Sequence, residues 1–358
     1  MELAEHLSEF TRRDWQTAAE PDDPVRFALV GLGWWAREQV VPALAESDYC
    51  EVGAVVSGSP SKAERVRDET DAERALEYEA FHDGEGTDAY DAVYVATPNG
   101  THLDYVATAA DHGKAVLCEK PMEATVERAE RMVDRCDDAG VPLMVGYRMH
   151  FDPAARRLRD LVEAGFVGDP ALVEGAMCQD VFATVSPDRD QWRLDADLAG
   201  GSALVDLGVY PLNTARFVLD ADPTHAQGTT ASPDEAFAGV DEHVSFEVRF
   251  ENGVTAACVA SQRGQRRSHL TVTGTEGRAT LDPAFFGGAQ LTVERGDAEA
   301  AFSVEPVNEV LAEFDYFADC LLDGRDPGPD GEHGLVDVRT MAAVYQSADA
   351  GERVAVGP

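Results

Sequence analysis

Val25-Arg26-Phe27-Ala28-Leu29-Val30-Gly31-Leu32-Gly33-Trp34-Trp35-Ala36 is the stretch on which the fold turns. Val25–Val30 is an apolar run broken only by Arg26. Gly31-x-Gly33-x-x-Ala36 follows at once, ahead of a helical pattern reaching about residue 46. Strand, glycine turn and helix in that order set backbone N–H groups at a helix N-terminus, where they can receive a pyrophosphate. The spacing alone is a weak signal, since a tight turn without a ligand uses the same letters; the context carries the reading. Outward from it, apolar runs at 52–56, 90–97, 115–118 and 143–146 alternate with helical patterns, one opened by Ser59-Pro60-Ser61 and others at 101–112 and 125–139. That alternation predicts parallel strands joined by right-handed crossovers, hence an α/β Rossmann domain with a doubly wound parallel sheet over residues 25–148.

Residues 1–24 read as a polar arm carrying Leu3, Leu7, Phe10 and Trp15, ended by Pro21 and Pro24. After Tyr147 the texture changes to a helix near 153–164, a Gly-Asp-Pro turn at 168–170, a strand at 171–178 and a helix from about 204 to 219. Val244, Phe246, Val248 and Phe250 then alternate with Ser245, Glu247 and Arg249, next to the hairpin signal Asn252-Gly253. Strands near 270–274, 279–282 and 291–294 and a helix at about 308–322 complete an α+β second domain over 149–358.

Of 358 residues, 67 are Asp or Glu and 29 Lys or Arg, a formal net charge of −38. Such a surface repels phosphate backbones, so nucleic acid is not expected as a partner. The apolar runs fall far short of the roughly 20 residues that cross a bilayer, so neither is a membrane. Only Lys62, Lys114 and Lys120 are lysines, against 26 arginines. A carboxylate-rich, lysine-poor surface suits a salt-filled cytoplasm, where self-repulsion is screened, and predicts a halophilic protein. Six cysteines (Cys50, Cys118, Cys136, Cys178, Cys258, Cys320) without a CxxC read as buried reduced thiols, and no HxH or HExxH pair supports a metal site. Arg12-Arg13 lacks the apolar segment of a twin-arginine signal, which favours a cytoplasmic location.

An Asp or Glu ending the second strand would accept from a ribose 2′-OH and repel a 2′-phosphate; Ser57-Gly58-Ser59 stands there instead, with Lys62 close by. Hydroxyls, a helix N-terminus and one positive charge suit NADP, and the plainer alternative is a helix cap beside a surface lysine. Thr97-Pro98-Asn99 through His102 ends the next apolar run at the carboxyl edge of the sheet, and Glu119-Lys120-Pro121 occupies the equivalent edge one strand further on, placing an ammonium where substrate and nicotinamide would meet. Asp206 and Tyr210 lie four apart on an expected helix, hence on one face. Trp34-Trp35 either lines a cofactor cleft or packs the first helix.

With Gly31-Leu32-Gly33, Thr97-Pro98-Asn99-x-x-His102, Glu119-Lys120-Pro121, Gly146-Tyr147-Arg148, Gln191-Trp192-Arg193, Gly200-Gly201-Ser202 and Asp206-x-x-x-Tyr210 in this order, the chain resembles the glucose–fructose oxidoreductase, inositol dehydrogenase and rhizopine-catabolism family over residues 25–356. The tyrosine of the last motif resembles the branch that oxidises aldoses with NADP, and the resemblance implies D-xylose as substrate, oxidised at C1 to the aldonolactone in pentose catabolism. It further implies that Tyr210 takes the anomeric proton, that Lys120 favours its phenolate against an ordinary tyrosine value near 10, and that Asp206 binds the hydroxyl. Arg148, Trp192 and Arg193 match positions that contact cofactor or pocket wall, Arg148 on the substrate side as well. A cis bond before Pro121 and a large, mostly antiparallel, open-faced sheet that pairs subunits into a dimer or tetramer are implied in the same way. The alternatives are a glucose–fructose oxidoreductase that keeps its NADP bound, and a sugar-sensing regulator of the same fold without turnover.

Overall fold

Strands β1 (Val25–Val30), β2 (Cys50–Val56), β3 (Arg74–Leu76), β4 (Ala92–Val95), β5 (Ala115–Glu119) and β6 (Leu143–Gly146) pair only in parallel, in the order β3-β2-β1-β4-β5-β6. The computed structural model that yields this order describes residues 15–16, 21, 23–302 and 307–357. The expected arm at 1–24 lies almost wholly outside them. β1, β4, β5 and β6 are buried nearly throughout, as continuous apolar runs require in a sheet covered on both faces. Strand order reverses between β1's neighbours β2 and β4, so their carboxyl ends open at a topological switch point, and the glycine turn lies there. The helix after the turn is π-helical over Ala36–Val40 and α-helical over Val41–Leu44.

The chain divides into two compact units, one running to Arg148 and including Asn308–Leu335, the other comprising Met149–Val307 and Val336 onward. The first unit is thus discontinuous in sequence, taking in Asn308–Leu335 as well as the residues up to Arg148. The physical reason is aromatic packing. Phe314 of helix Glu309–Asp323 lies 5.1 Å from Phe27 and 4.9 Å from Tyr94, and Phe317 lies 6.3 Å from Phe27.

The second unit holds a nine-stranded sheet in the order β14-β13-β12-β11-β7-β10-β9-β8-β15. Its strands are β7 (Pro170–Asp180), β8 (Pro223–Ala231), β9 (His243–Phe250), β10 (Thr255–Ser261), β11 (Arg263–Gly274), β12 (Gly277–Leu281), β13 (Leu291–Arg295), β14 (Ala298–Phe302) and β15 (Val354–Ala355). Every pair is antiparallel except β7 with β10. Val244, Phe246, Val248 and Phe250 are buried while Ser245, Glu247 and Arg249 are exposed, as the alternation predicts. Helix Val209–Leu219 crosses the covered face at Gly175, where an added Cβ would lie 2.6 Å from Pro211 Cβ. β11 begins at Arg263, not near 270, because the Arg-rich Arg263–Arg267 stretch joins β7 across a register shift. The six cysteines are unpaired and all but Cys178 are buried. Among the described residues no helix is long and apolar enough to cross a membrane.

Candidate active site

Two glycines of the turn have different reasons to be glycine. Gly31 has φ +95°, and a Cβ there would stand 2.7 Å from the Ala96 carbonyl oxygen, so the chain itself requires it. Gly33 is exposed, has no positive φ, and an added Cβ would meet nothing within 4 Å. Gly31 N–H is spent on Val56 O at 3.1 Å, whereas the amides of Leu32 and Gly33 have no partner among the described residues. An open glycine beside two unspent donors at a helix start is what close approach of a pyrophosphate needs, so the turn fits a dinucleotide. Trp34 stands 56% exposed on the lip of this turn. Trp35 turns inward and donates from Nε1 to Tyr94 Oη (3.0 Å) and Glu119 Oε1 (2.9 Å).

At the end of β2, Ser57 is buried and its Oγ accepts from Ser59 N–H at 3.2 Å. Ser59 precedes helix Pro60–Thr70 without a side-chain cap bond, its Oγ lying 3.4 Å from Ser61 Oγ. Gly58 keeps Tyr78 close, with an added Cβ 3.1 Å from the ring. The Lys62 backbone N–H donates to Ser59 O at 3.0 Å, while its ammonium makes no hydrogen bond or ion pair with a described residue. Lys114, by contrast, is structural, donating to Thr87 O (2.8 Å) and Tyr90 O (2.7 Å). The helix-cap reading of Ser59 therefore lacks its bond, and two hydroxyls, one ammonium and a helix N-terminus stand together, a donor set that fits a 2′-phosphate.

Along the carboxyl edge, Thr101 Oγ1 donates to Pro98 O (2.7 Å) and lies 2.9 Å from Thr97 Oγ1, and Asn99 is buried in the 3-10 turn Asn99–Thr101. His102 is fully buried, its ring nitrogens against Thr97 O (2.9 Å) and Met122 O (3.1 Å). It braces the edge and presents no ring atom outward. Glu119 is likewise engaged by its own chain: Oε1 accepts from Tyr94 and Trp35, and Oε2 from Lys120 N–H at 3.1 Å. Burial, and then Glu119 itself, pushes the Tyr94 phenol well above its ordinary value, so it stays a donor. The buried Glu313 carboxyl completes this group, held well above the usual carboxylate range by burial and then by the Glu119 charge, against the pull of Arg148. Lys120 is half-buried, and the Lys120–Pro121 peptide is cis. Arg148 pairs with Glu309 at 2.7 Å, both 11% exposed.

In the second unit Asp206 and Tyr210 are both half-buried, but Asp206 lies in a π-helical turn, Ala203–Gly208, and Tyr210 in the α-helix that follows. Pro211 has no N–H to offer Leu207 O, and ahead of it Val209 N–H reaches back to Leu204 O. The α-helical four-residue spacing expected for the pair is therefore not the geometry found. Asp206 Oδ2 accepts from Gln262 Nε2 at 2.9 Å and lies 3.6 Å from Arg193 Nε, whose guanidinium stacks 4.5 Å over Trp192. Tyr210 lies against Phe285, ring centroids 5.9 Å apart. The buried Asp241 carboxylate starts the helix, taking Ser202 N–H, Leu204 N–H and Tyr345 Oη, each at 2.7 Å. Gly201 must be glycine beside it, since a Cβ would fall 2.0 Å from Tyr345 Oη. Gln262, Asp241, Tyr345 and Glu313 were not singled out from the sequence, where they lie far from the motifs they serve.

A doubly wound sheet with a pyrophosphate-fitting turn and an ammonium at the next strand edges defines a dinucleotide-binding oxidoreductase. The chain belongs to the GFO/IDH/MocA family: the model described as "Oxidoreductase family, NAD-binding Rossmann fold" matches residues 25–147, and that of the GFO/IDH/MocA C-terminal domain matches 155–280. It is 50% identical over 346 residues, 95% of each chain, to the D-xylose 1-dehydrogenase [NADP(+)] of Haloarcula marismortui. It is 33% identical to D-xylose 1-dehydrogenase (NADP(+)) 2 of Haloferax volcanii, over 92% of this chain and 98% of that one. Among solved structures, the aldose-aldose oxidoreductase of Caulobacter crescentus superposes with a TM-score of 0.87 at 32% identity, covering 93% of this chain and all of that one.

Proposed function

We propose that the protein oxidises an aldose, D-xylose foremost, at C1 to the aldonolactone with NADP as acceptor, in pentose catabolism. The observation that carries this reading is the 50% identity, over 95% of both chains, to a protein named for that reaction. The donor set of Ser59, Ser61 and Lys62 supports the choice of NADP over NAD. NADP, when bound, supplies the hydride acceptor, and Gly31, Leu32, Gly33, Trp34, Ser57–Ser59, Lys62, Thr97–Asn99 and Glu119 form the parts of the first unit that hold or brace it. As hydride leaves C1, its hydroxyl must lose a proton, and Tyr210 is the group assigned to receive it. Lys120 steadies the oxygen as negative charge grows, and Asp206 accepts from that hydroxyl in the bound sugar before its single proton turns to Tyr210. Arg148, Trp192 and Arg193 are assigned to cofactor and pocket wall.

Initial-rate NADPH formation with D-xylose, D-glucose, L-arabinose and myo-inositol at molar KCl tests the reading. Turnover should be fastest with D-xylose and fall about 10²- to 10⁴-fold in Tyr210→Phe. No NADPH from any sugar would reject it. The similarity to an aldose-aldose oxidoreductase favours a second reading, in which NADP stays bound and cycles between two sugars; NADP surviving exhaustive dialysis would select it. A cytoplasmic location and a dimer or tetramer through the open sheet face belong to the same proposal. Support for the assembly is the exposed row Ser245, Glu247, Arg249 with Leu172 and Val259, and light scattering at molar KCl measures it.

A further inference from the structure

We propose that Gln262 is a positioning residue for the reaction: it holds the Asp206 carboxylate in its ionised, hydrogen-bond-accepting form and fixes its plane. The inference rests on the reading of Asp206 as the group that accepts from the sugar hydroxyl.

Gln262 is fully buried at the junction between β10 and β11, and all four of its polar groups are engaged. Its N–H donates to Glu242 O (3.0 Å) and its carbonyl accepts from Val181 N–H (2.8 Å), which pins the backbone. Its side-chain Oε1 accepts from Gln179 Nε2 (3.2 Å), and its Nε2 donates to Asp206 Oδ2 (2.9 Å). The direction of this relay is set by chemistry. An ionised carboxylate can only accept, so the amide must turn its NH2 towards Asp206 and its oxygen towards Gln179. Gln179, itself buried on β7, presents its Nε2 to that oxygen.

One hydrogen-bond donor, Gln262 Nε2, and one charge, the Arg193 guanidinium, thus approach the same oxygen of Asp206 from different elements. Arg193 stands at 3.6 Å and is part-exposed, while Gln262 sits at full hydrogen-bond distance from the dry side. Asp206 lies in a π-helical turn, a feature frequent at functional sites. Donation to the charged form makes protonation of a carboxylate harder. Gln262 therefore keeps Asp206 an acceptor as the pH falls.

The test compares Gln262→Leu, Gln262→Glu, Gln179→Leu and Asp206→Asn with wild type, measuring kcat, both KM values and the pH profile of D-xylose oxidation at molar KCl. Gln262→Leu is expected to lower kcat about 10- to 100-fold with the KM for NADP unchanged, and to move the acid limb of the profile up by about one pH unit. Gln262→Glu keeps the shape and reverses the sign. Protonated, it still donates to Asp206, so its activity survives at low pH; ionised, it repels Asp206, so activity falls as pH rises. Gln179→Leu should shift the acid limb in the direction of Gln262→Leu, by less. Wild-type kcat and profile in Gln262→Leu, alongside collapse in Asp206→Asn, would overturn this inference alone. Wild-type turnover in Asp206→Asn would overturn the reading of Asp206 and this inference with it. Should Gln262→Leu fail to fold, the isosteric Gln262→Glu decides, an unshifted profile overturning the inference.

Discussion

Gly31 and Gly33 stand two residues apart and should fail in different ways. Gly31→Ala forces a side chain into φ +95° and against the Ala96 carbonyl, so it should lower stability by about 1–3 kcal/mol in a denaturant titration, with or without NADP. Gly33→Ala meets no steric obstacle in the chain, so the melting temperature should hold while the Kd for NADP rises about tenfold or more by fluorescence titration; unchanged affinity would remove the turn from the cofactor site. Ser57→Asp sets a carboxylate at the end of β2 beside the Ser59 N–H, and should shift the NADP-to-NAD ratio of kcat/KM towards NAD by at least about tenfold, since like charges 4–6 Å apart repel. Both groups were legible because the chemistry is local: a turn, a strand end and a helix start lie within a few residues of each other. Glu119 and His102 were legible as edge residues but not in their orientation, because Tyr94, Trp35 and Met122, which claim their polar atoms, come from other elements.

Elements show the same division between local and distant causes. Strands β1, β2, β4, β5 and β6 were readable from apolar runs and the β9–β10 hairpin from period-two alternation beside Asn-Gly, whereas the three-residue β3, Arg74–Leu76, carries no such run. Helix Gly331–Ala350 was not read at all: it opens with Gly331 and Gly334, which look like breakers. They are present because added Cβ atoms would press on Leu143 (2.9 Å) and Val145 (2.7 Å), a packing reason that no local pattern carries. The allocation of helix Glu309–Asp323 to the first unit was equally invisible, yet it brings Glu313 beside Glu119. The sign of the resulting pH dependence follows from the direction of its shift. A carboxyl raised in the folded state contributes stability that is fully present below its unfolded value, about 4.5, and is lost as pH rises towards the folded value. Glu313→Gln removes that dependence. Its stability relative to wild type should therefore climb as the pH rises from about 4.5 towards neutrality in urea titrations. A difference flat in pH would mean that Glu313 is ionised in the native state.

At the scale of the whole molecule the governing fact is 67 acidic against 29 basic side chains. Self-repulsion at that imbalance acts over the Debye length, about 30 Å at 0.01 M salt and about 3 Å at 1 M, so most of the relief from screening comes below about 0.5 M. Not every charge responds alike. Arg216 and Asp337, 3% and 0% exposed at 2.8 Å, are shielded from mobile ions, and the completely buried Glu123 holds Arg128 at 2.7 Å; these pairs should persist in molar salt. Exposed pairs such as Arg278–Glu294 lose their modest attraction in the same range, a smaller effect of opposite sign. The net expectation is a melting temperature that rises by roughly 5–10 °C between 0.01 and 0.5 M KCl and more slowly beyond, corresponding to a few kcal/mol for a chain of this size. Sucrose at matched osmolality, which strengthens burial without screening charge, separates this from surface exclusion. A melting temperature that responds to sucrose as strongly as to KCl, or that is flat in KCl, would sever the acidic surface from halophilic stability. A rise saturating near 0.5 M would tie the composition to the folded state through screening, and leave any further gain in molar salt to specific ion binding.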